Sequence, residues 1–483
     1  MGITVGLDVG TTTLSAVVLD VAAGRLLARR TVPNSATVSD EAERAKGRAE
    51  LDLNTLRELL IQALGEIVAA IGSRAREVVA IGVTGQMHGV ALLRPDTTPA
   101  GYAITWQDRR VLEPHPAGGT YLEQFIARAG GPQAFEPMGC SPWPGYLGLT
   151  LFWLQENGRL PRPHVIACFI PDAAVSFLTG LAPVTDPTDG GGSALMNLVE
   201  RRWDWSLIAR LGLPAEIIPP VRESGEVAGT LLPAIAAQVG LPQGTPVTVA
   251  IGDNQASFLG SVAAPWESVL VNVGTGAQIS ALTPVFRRLP GLEVRYFPGG
   301  RYLLVGAGLF GGRTYAYLRS FFRQVGAAFF GGSGEEELYD QMTRLAAQVP
   351  PGCDGLRCAP FFTGTRQDTS LRASYTGLAP HNFTPGHLIR ATLEGMAEVF
   401  HNFWETMRPV VGERRILAGS GNGLRRNPLL GEILSQRFGL PLQLSMLEEE
   451  AATGAALLAA VGVGAIATWD EASALLGSAA TKR

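Results

Sequence analysis

Two carboxylates, Asp8 and Asp253, stand where short apolar runs give way to glycine, and their setting suits phosphate chemistry. Ile3, Val5, Leu7 and Val9 alternate with Thr4, Gly6 and Asp8, which is the period of a strand. Gly10 permits a tight turn, Thr11 to Thr13 bring hydroxyls and N–H groups onto it, and a second apolar run follows from Leu14 to Leu19. A carboxylate ending a buried strand beside such a turn can hold a hydrated cation while the turn holds a phosphate. The ordinary alternative is a hairpin whose Asp8 satisfies turn amides. Asp253 follows the strand-like run Val247 to Ile251, with Gly252 between them. The carboxyl end of a strand is where open α/β sheets put functional groups, although an aspartate there can equally cap a helix starting near Gln255.

Other polar residues gather around similar junctions. Gly85-Gln86-Met87-His88-Gly89 follows the apolar run Val78 to Thr84. Gln86 and His88 offer donors and acceptors suited to hydroxyls, and Thr105-Trp106-Gln107-Asp108 adds an aromatic face and a carboxylate. That mixture suits a sugar better than an apolar ligand. A lone histidine can also be purely structural. Gly306-Ala307-Gly308-Leu309-Phe310-Gly311 has the GxGxxG spacing of a dinucleotide turn, but no acid ends a following strand, so that reading is weak. Leu417 to Gly423 reads as a strand entering a glycine-rich turn, with a helix from Asn427.

The elements that must position these groups alternate between strand and helix patterns, which is α/β behaviour. Leu51 to Ile71 reads as an amphipathic helix, and Asp172 to Leu178 as a short one. Val269 to Ala277 then repeats the opening pattern of strand, Gly-Thr turn and apolar strand: Gly274 matches Gly10, Thr275 matches Thr11, and Asn272 replaces Asp8. Such a repeat predicts two similar α/β domains presenting one turn each to a shared cleft. The boundary is expected near residues 245–260, giving domains 1–250 and 251–483. The carboxylate kept at Asp8 and lost at Asn272 assigns the metal role to the first turn.

Composition narrows the chemistry. The 483 residues are 46% hydrophobic and 17% charged, so large cores are expected. A net charge of −4 and a pI near 6.0 argue against nucleic acid or an anionic membrane as partner. Lys46 and Lys482 are the only lysines, and neither follows a glycine-rich loop, which excludes a Walker P-loop and a protein-kinase lysine. Phosphate must then be held by amides, hydroxyls, arginine or a metal. Cys140, Cys168, Cys353 and Cys358 lack CxxC pairing and read as reduced thiols. The uncharged stretch from Ala451 to Trp469 is mostly Ala and Gly, and reads as a buried helix rather than a membrane span. No signal peptide is read at the N-terminus, so a cytoplasmic protein is expected.

In order along the chain, Asp8-Val9-Gly10-Thr11-Thr12, Gly85-Gln86-Met87-His88-Gly89, Trp106-Gln107-Asp108, Gly252-Asp253-Asn254, Gly274-Thr275-Gly276 and Gly419-Ser420-Gly421 resemble the FGGY carbohydrate kinases. The resemblance covers essentially the whole length. It implies an α/β fold of two actin-like, hexokinase-like (ribonuclease H-like) domains with an interdomain cleft. It implies ATP and Mg2+ as cofactors, with a small sugar and ATP as partners, no nucleic acid, no membrane, and a homodimer left open. By the same resemblance Asp253 is the catalytic base, and Gly10, Thr11 and Thr12 hold the triphosphate opposite Gly274, Thr275 and Gly276. Gly311, Gly312, Gly419, Ser420, Gly421 and Asn427 would line the adenosine pocket, and Asp8 with Asp253 would serve the metal. Gln86, Met87, His88, Trp106, Asp108, Asp253 and Asn254 fall at sugar-binding positions. Gln-Met-His-Gly resembles the ketose-phosphorylating branches. Trp106-Gln107-Asp108 with Gly252 to Ser257 favours sedoheptulose, phosphorylated to the 7-phosphate, with D-xylulose as the alternative. An actin-like ATP-binding switch and an NAD-dependent oxidoreductase on residues 302–325 are the rival classes.

Overall fold

The computed structural model describes residues 2–480 apart from 162–163, 275, 332–337, 366–367, 369, 446 and 448. The alternating start of the chain forms a hairpin, β1 (Ile3–Val9) with β2 (Thr13–Asp20), Asp8 lying opposite Ser15. β2 continues antiparallel into β3 (Arg25–Pro33), and β1 pairs in parallel with β4 (Val78–Gly85), Asp8 beside Thr84. β5 (Val227–Thr230), β6 (Pro246–Thr248) and β7 (Ile251–Gly252) complete the first sheet in the order β5-β6-β4-β1-β2-β3, with β7 also on β4.

The second sheet is built on the same plan. Its strands are β8 (Ser268–Val273), β9 (Gly276–Thr283), β10 (Glu293–Phe297), β11 (Arg301–Phe310), β12 (Ile416–Ser420) and β13 (Leu442–Leu444). They run in the order β10-β11-β9-β8-β12-β13. β8 is antiparallel to β9 and parallel to β12, as β1 is to β2 and β4. The repeat read in the sequence is therefore a repeat of topology, with Asn272 in the ladder position of Asp8.

Helices join and cover the sheets. α1 (Leu53–Ile71) opens on Asp52, whose side chain accepts the Asn54 N–H, and buries Leu53, Leu56, Leu60, Leu64 and Ile67 along one stripe. The excursion between β4 and β5 carries α2 (Ile170–Thr179) and the short α3 (Pro187–Gly190). α4 (Asp253–Ser261) lies between the two sheets in sequence; α5 (Gly312–Phe330), α6 (Pro385–Val411), α7 (Pro428–Phe438) and α8 (Glu450–Gly462) belong to the second half. α4 and α8 share one core cluster with residues of both sheets, including Val17 and Leu19 of β2, Leu270 of β8 and Leu303 of β11. Among the described residues no helix is long and apolar enough to cross a membrane.

One local expectation is corrected and two alternative readings fall away. The run 247–251 is two short strands rather than one, because its register against β4 slips by one residue between Val247, opposite Ile81, and Ile251, opposite Thr84. Asp253 is the first residue of α4 and makes no side-chain cap; Gly252 occupies the cap position. Gly306 and Gly308 lie inside β11, where a dinucleotide fingerprint needs a turn between strand and helix. A Cβ on Gly306 would lie 2.9 Å from Ile279 and Phe403, so this glycine serves packing. The oxidoreductase reading loses its motif.

Candidate active site

Strand ends place the polar residues around two adjoining cavities. One, of about 410 Å3, is lined by Met87, His88 and Trp106 from the first half, Asp253, Asn254 and Ser257 of α4, and Asn272, Gly276, Gln278 and Arg295 of the second sheet. The other, of about 1040 Å3, is lined by Asp8, Gly274, Gly312, Gly421, Asn427, Glu449 and again Ser257, among others. Ser257 lies one turn after Asp253 on α4, so the two cavities meet beside that carboxylate.

His88 is held firmly in the smaller cavity. Its backbone is left-handed (φ 66°), a strained choice for a residue with a side chain. Its ring stacks on Tyr146 at 4.1 Å between centroids, and Nδ1 lies 3.0 Å from the Gly192 carbonyl oxygen. A Cβ on Gly192 would collide with that ring nitrogen, which explains glycine there. The Trp106 indole N–H donates to the Thr11 hydroxyl at 3.0 Å, and that hydroxyl lies 3.5 Å from Gln86 Oε1. The first Gly-Thr turn is thus tied to the sugar-type cluster. Asn34 Nδ2 fixes it further by donating to the Gly10 carbonyl at 2.9 Å, while Thr12 is exposed.

Asp108, expected at a sugar, is occupied elsewhere. Oδ1 accepts the Arg110 N–H and Nε at 2.9 and 2.8 Å, and Oδ2 accepts the Ala49 N–H and Arg110 Nη2 at 2.9 and 2.8 Å. Both oxygens are used and the residue is buried, so Asp108 holds the loop that presents Trp106. Gln86 is also buried, with Nε2 lacking a partner among the described residues.

The glycines expected to bind a nucleotide divide into two kinds. Gly274, Gly312 and Gly421 line the large cavity. Gly311 lies beneath the second turn: a Cβ there would stand 2.6 Å from the Gly276 carbonyl oxygen, and the Gly312 N–H donates to the Gly274 carbonyl at 2.8 Å. Gly419 and Ser420 sit within β12, where Ser420 Oγ accepts from Asn272 Nδ2 at 2.7 Å. Asn427 reaches the cavity and also caps α7, its Oδ1 accepting the Leu430 N–H at 3.1 Å. Thr275 lies outside the described residues.

Both carboxylates of the site are raised by burial. Burial, followed by the negative charges of Asp253 and Glu449, pushes Asp8 up to about 8. Burial pushes Asp253 to about 6, opposed by the positive charge of Arg295 and the Asn254 N–H. A site where carboxylates destabilise one another fits a bound cation. Among the described residues no three His, Cys, Asp or Glu side chains are close enough to chelate a metal directly, so the donors present suit an ion held through water.

Sequence reasoning missed Arg295, Gln278 and Glu449. Arg295 carried one signal, a pair of opposite charges at Glu293 and Arg295 spaced two apart in an apolar strand, hence on one face. Glu449 is signalled only by structure, its left-handed backbone (φ 61°) preceding α8.

Comparison with known proteins converges on one family. Residues 3–260 match the N-terminal domain, and residues 269–463 the C-terminal domain, of the FGGY family of carbohydrate kinases. The chain is 29% identical to human sedoheptulokinase over 94% of its own length and 97% of that protein's. It is 25% identical to a Bacillus subtilis xylulose kinase over 97% of this chain and 89% of the relative. Xylulose kinase from Rhodospirillum rubrum has the same fold, with a TM-score of 0.83, 25% identity and coverage of 98% and 92%.

Proposed function

Since the chain belongs to the FGGY family of carbohydrate kinases and is a phosphotransferase, we propose that it transfers the γ-phosphoryl group of ATP to the terminal hydroxyl of a ketose, with Asp253 as general base. The meeting of the two cavities at Ser257 beside Asp253 carries this reading, because donor and acceptor must come together at the base. ATP would occupy the cavity of Asp8, Gly274, Gly312 and Gly421, and the sugar that of His88, Trp106, Asn254 and Asp253. The acceptor oxygen forms a bond to the γ-phosphorus, its proton passes to the Asp253 carboxylate, and the bond to the β,γ-bridging oxygen breaks to release ADP. A carboxylate assisting a poor nucleophile contributes on the order of 10²–10⁴ in rate. Asp8 and Asp253 would hold Mg2+ through water, and the ion would neutralise phosphate charge that no lysine serves.

Sedoheptulose is the substrate this reading favours, giving the 7-phosphate, supported by Trp106-Gln107-Asp108 and by the sedoheptulokinase relative. D-Xylulose is the second reading, supported by the xylulose kinase relative. A coupled ADP-release assay across ketoses, pentitols and glycerol tests the choice: sedoheptulose is expected to give the highest kcat/KM, and inactivity with it beside a strongly active sugar would refute it. Asp253→Ala should abolish sugar phosphorylation while nucleotide binding persists. Retained turnover in that variant would remove Asp253 as base.

A further inference from the structure

The second sheet contributes a guanidinium to the sugar-side cavity. Arg295 on β10 lines the cavity with His88, Asp253 and Asn254, and also a smaller void with Met87, His88 and Tyr146. β10 is the edge strand of its sheet, and the Val294 N–H donates to the Gly139 carbonyl at 2.8 Å, which docks the edge onto the first half of the chain. Arg295 is thereby set against residues that arrive from the other sheet.

Its head group is fixed. Nη2 and Nε donate to Glu293 Oε2 at 2.6 and 3.0 Å, and the side chain is only 12% exposed. Glu293 and Arg295 share a face because the strand alternates, and β10 pairs regularly with β11, Arg295 opposite Leu303. An arginine whose head group is fixed by Glu293 while it lines a polar cavity presents a planar, pre-aimed guanidinium to that cavity. The Asp253 carboxylate lies within reach of the Arg295 charge, so the oxygens this corner suits are those of hydroxyls and a carbonyl rather than an acid group.

We propose that Arg295 binds the sugar and helps to set specificity, donating to substrate oxygens from the second domain while Glu293 fixes its direction. The inference rests on the kinase reading above and deepens it.

Arg295→Gln, Arg295→Lys and Glu293→Gln test it, with steady-state kinetics in sugar and in ATP, sugar binding by calorimetry without ATP, and thermal denaturation. Arg295→Gln should weaken sugar binding and raise sugar KM tenfold or more, leaving ATP KM within about twofold, since charge-assisted bonds are the stronger ones. Arg295→Lys keeps the charge beside Glu293 but loses the planar fork, and should lie between the two. Glu293→Gln should raise sugar KM less than Arg295→Gln does. Unchanged sugar KM and affinity in Arg295→Gln would overturn the proposal. Should that variant fail to fold, wild-type sugar KM in Arg295→Lys overturns it equally. If the wild-type protein phosphorylates no sugar, the kinase reading falls, and this proposal falls with it.

Discussion

A carboxylate can take a proton only when ionised, and Asp253 titrates near 6 because burial outweighs the attraction of Arg295. kcat/KM for the sugar should therefore fall through an acid limb near pH 6. A limb near pH 4 would show that another group sets the proton transfer. Arg295→Gln should move the limb upward, since the positive charge that favours the ionised form is gone. At this scale the sequence was informative where glycine and a strand end frame a residue, as at Asp8, His88 and Asp253. It could not show that Asp108 faces Arg110 two residues on, or that Arg295 reaches across from the other sheet. Both facts depend on which way a loop and an edge strand fold back, and spacing does not encode that.

Among the elements, α8 demands small neighbours. It runs between the first sheet and α4, and a Cβ on Gly82 would overlap the Ala455 carbonyl oxygen, as one on Gly454 would overlap that of Ala256. Gly82→Ala must push a helix off a strand and should cost about 3 kcal/mol, the range of overpacked cores. Gly65→Ala in α1 is the control: its nearest neighbour would be 3.7 Å away, so helix propensity alone should act, at about 1 kcal/mol in favour of alanine. Chemical denaturation of both variants checks this, and equal stabilities would refute the close-approach account. The first strand was legible from its period-two alternation, and the second hairpin from its repeat of the Gly-Thr turn between apolar runs. The glycine spacing within β11 imitated a dinucleotide turn, since a packing glycine and a turn glycine look alike until their neighbours are known.

Across the whole molecule, burial has concentrated acidic groups in the first half. Asp172, Asp186 and Asp189 are buried together; burial raises all three, Asp186 to about 6, and both oxygens of Asp189 lack partners among the described residues. Asp186 is the best supported, accepting from Thr188, Ser224 and the Asp189 N–H. Thr188 in turn accepts the Gly252 N–H at 2.8 Å, which links this acidic group to the residue before Asp253. With Asp8 near 8 and Asp253 near 6, these carboxyls bind protons more tightly folded than unfolded. For Asp8, Asp186 and Asp253 that contribution is fully favourable below about pH 4 and is lost as pH rises through about 6 to 8. Carboxylates lowered by surface partners, such as Asp20 and Glu77, act below that window and do not oppose it. Without metal or nucleotide, the protein should melt at a higher temperature at pH 5.5 than at pH 8. Mg2+ with ADP should narrow the gap by stabilising the ionised site at pH 8. A melting temperature that is flat or falls on acidification to pH 5.5 would contradict the picture of carboxyls kept protonated by burial. The sign matters for the kinase reading too: the charge that loosens the empty fold at pH 8 is the charge that the base and the ion site require.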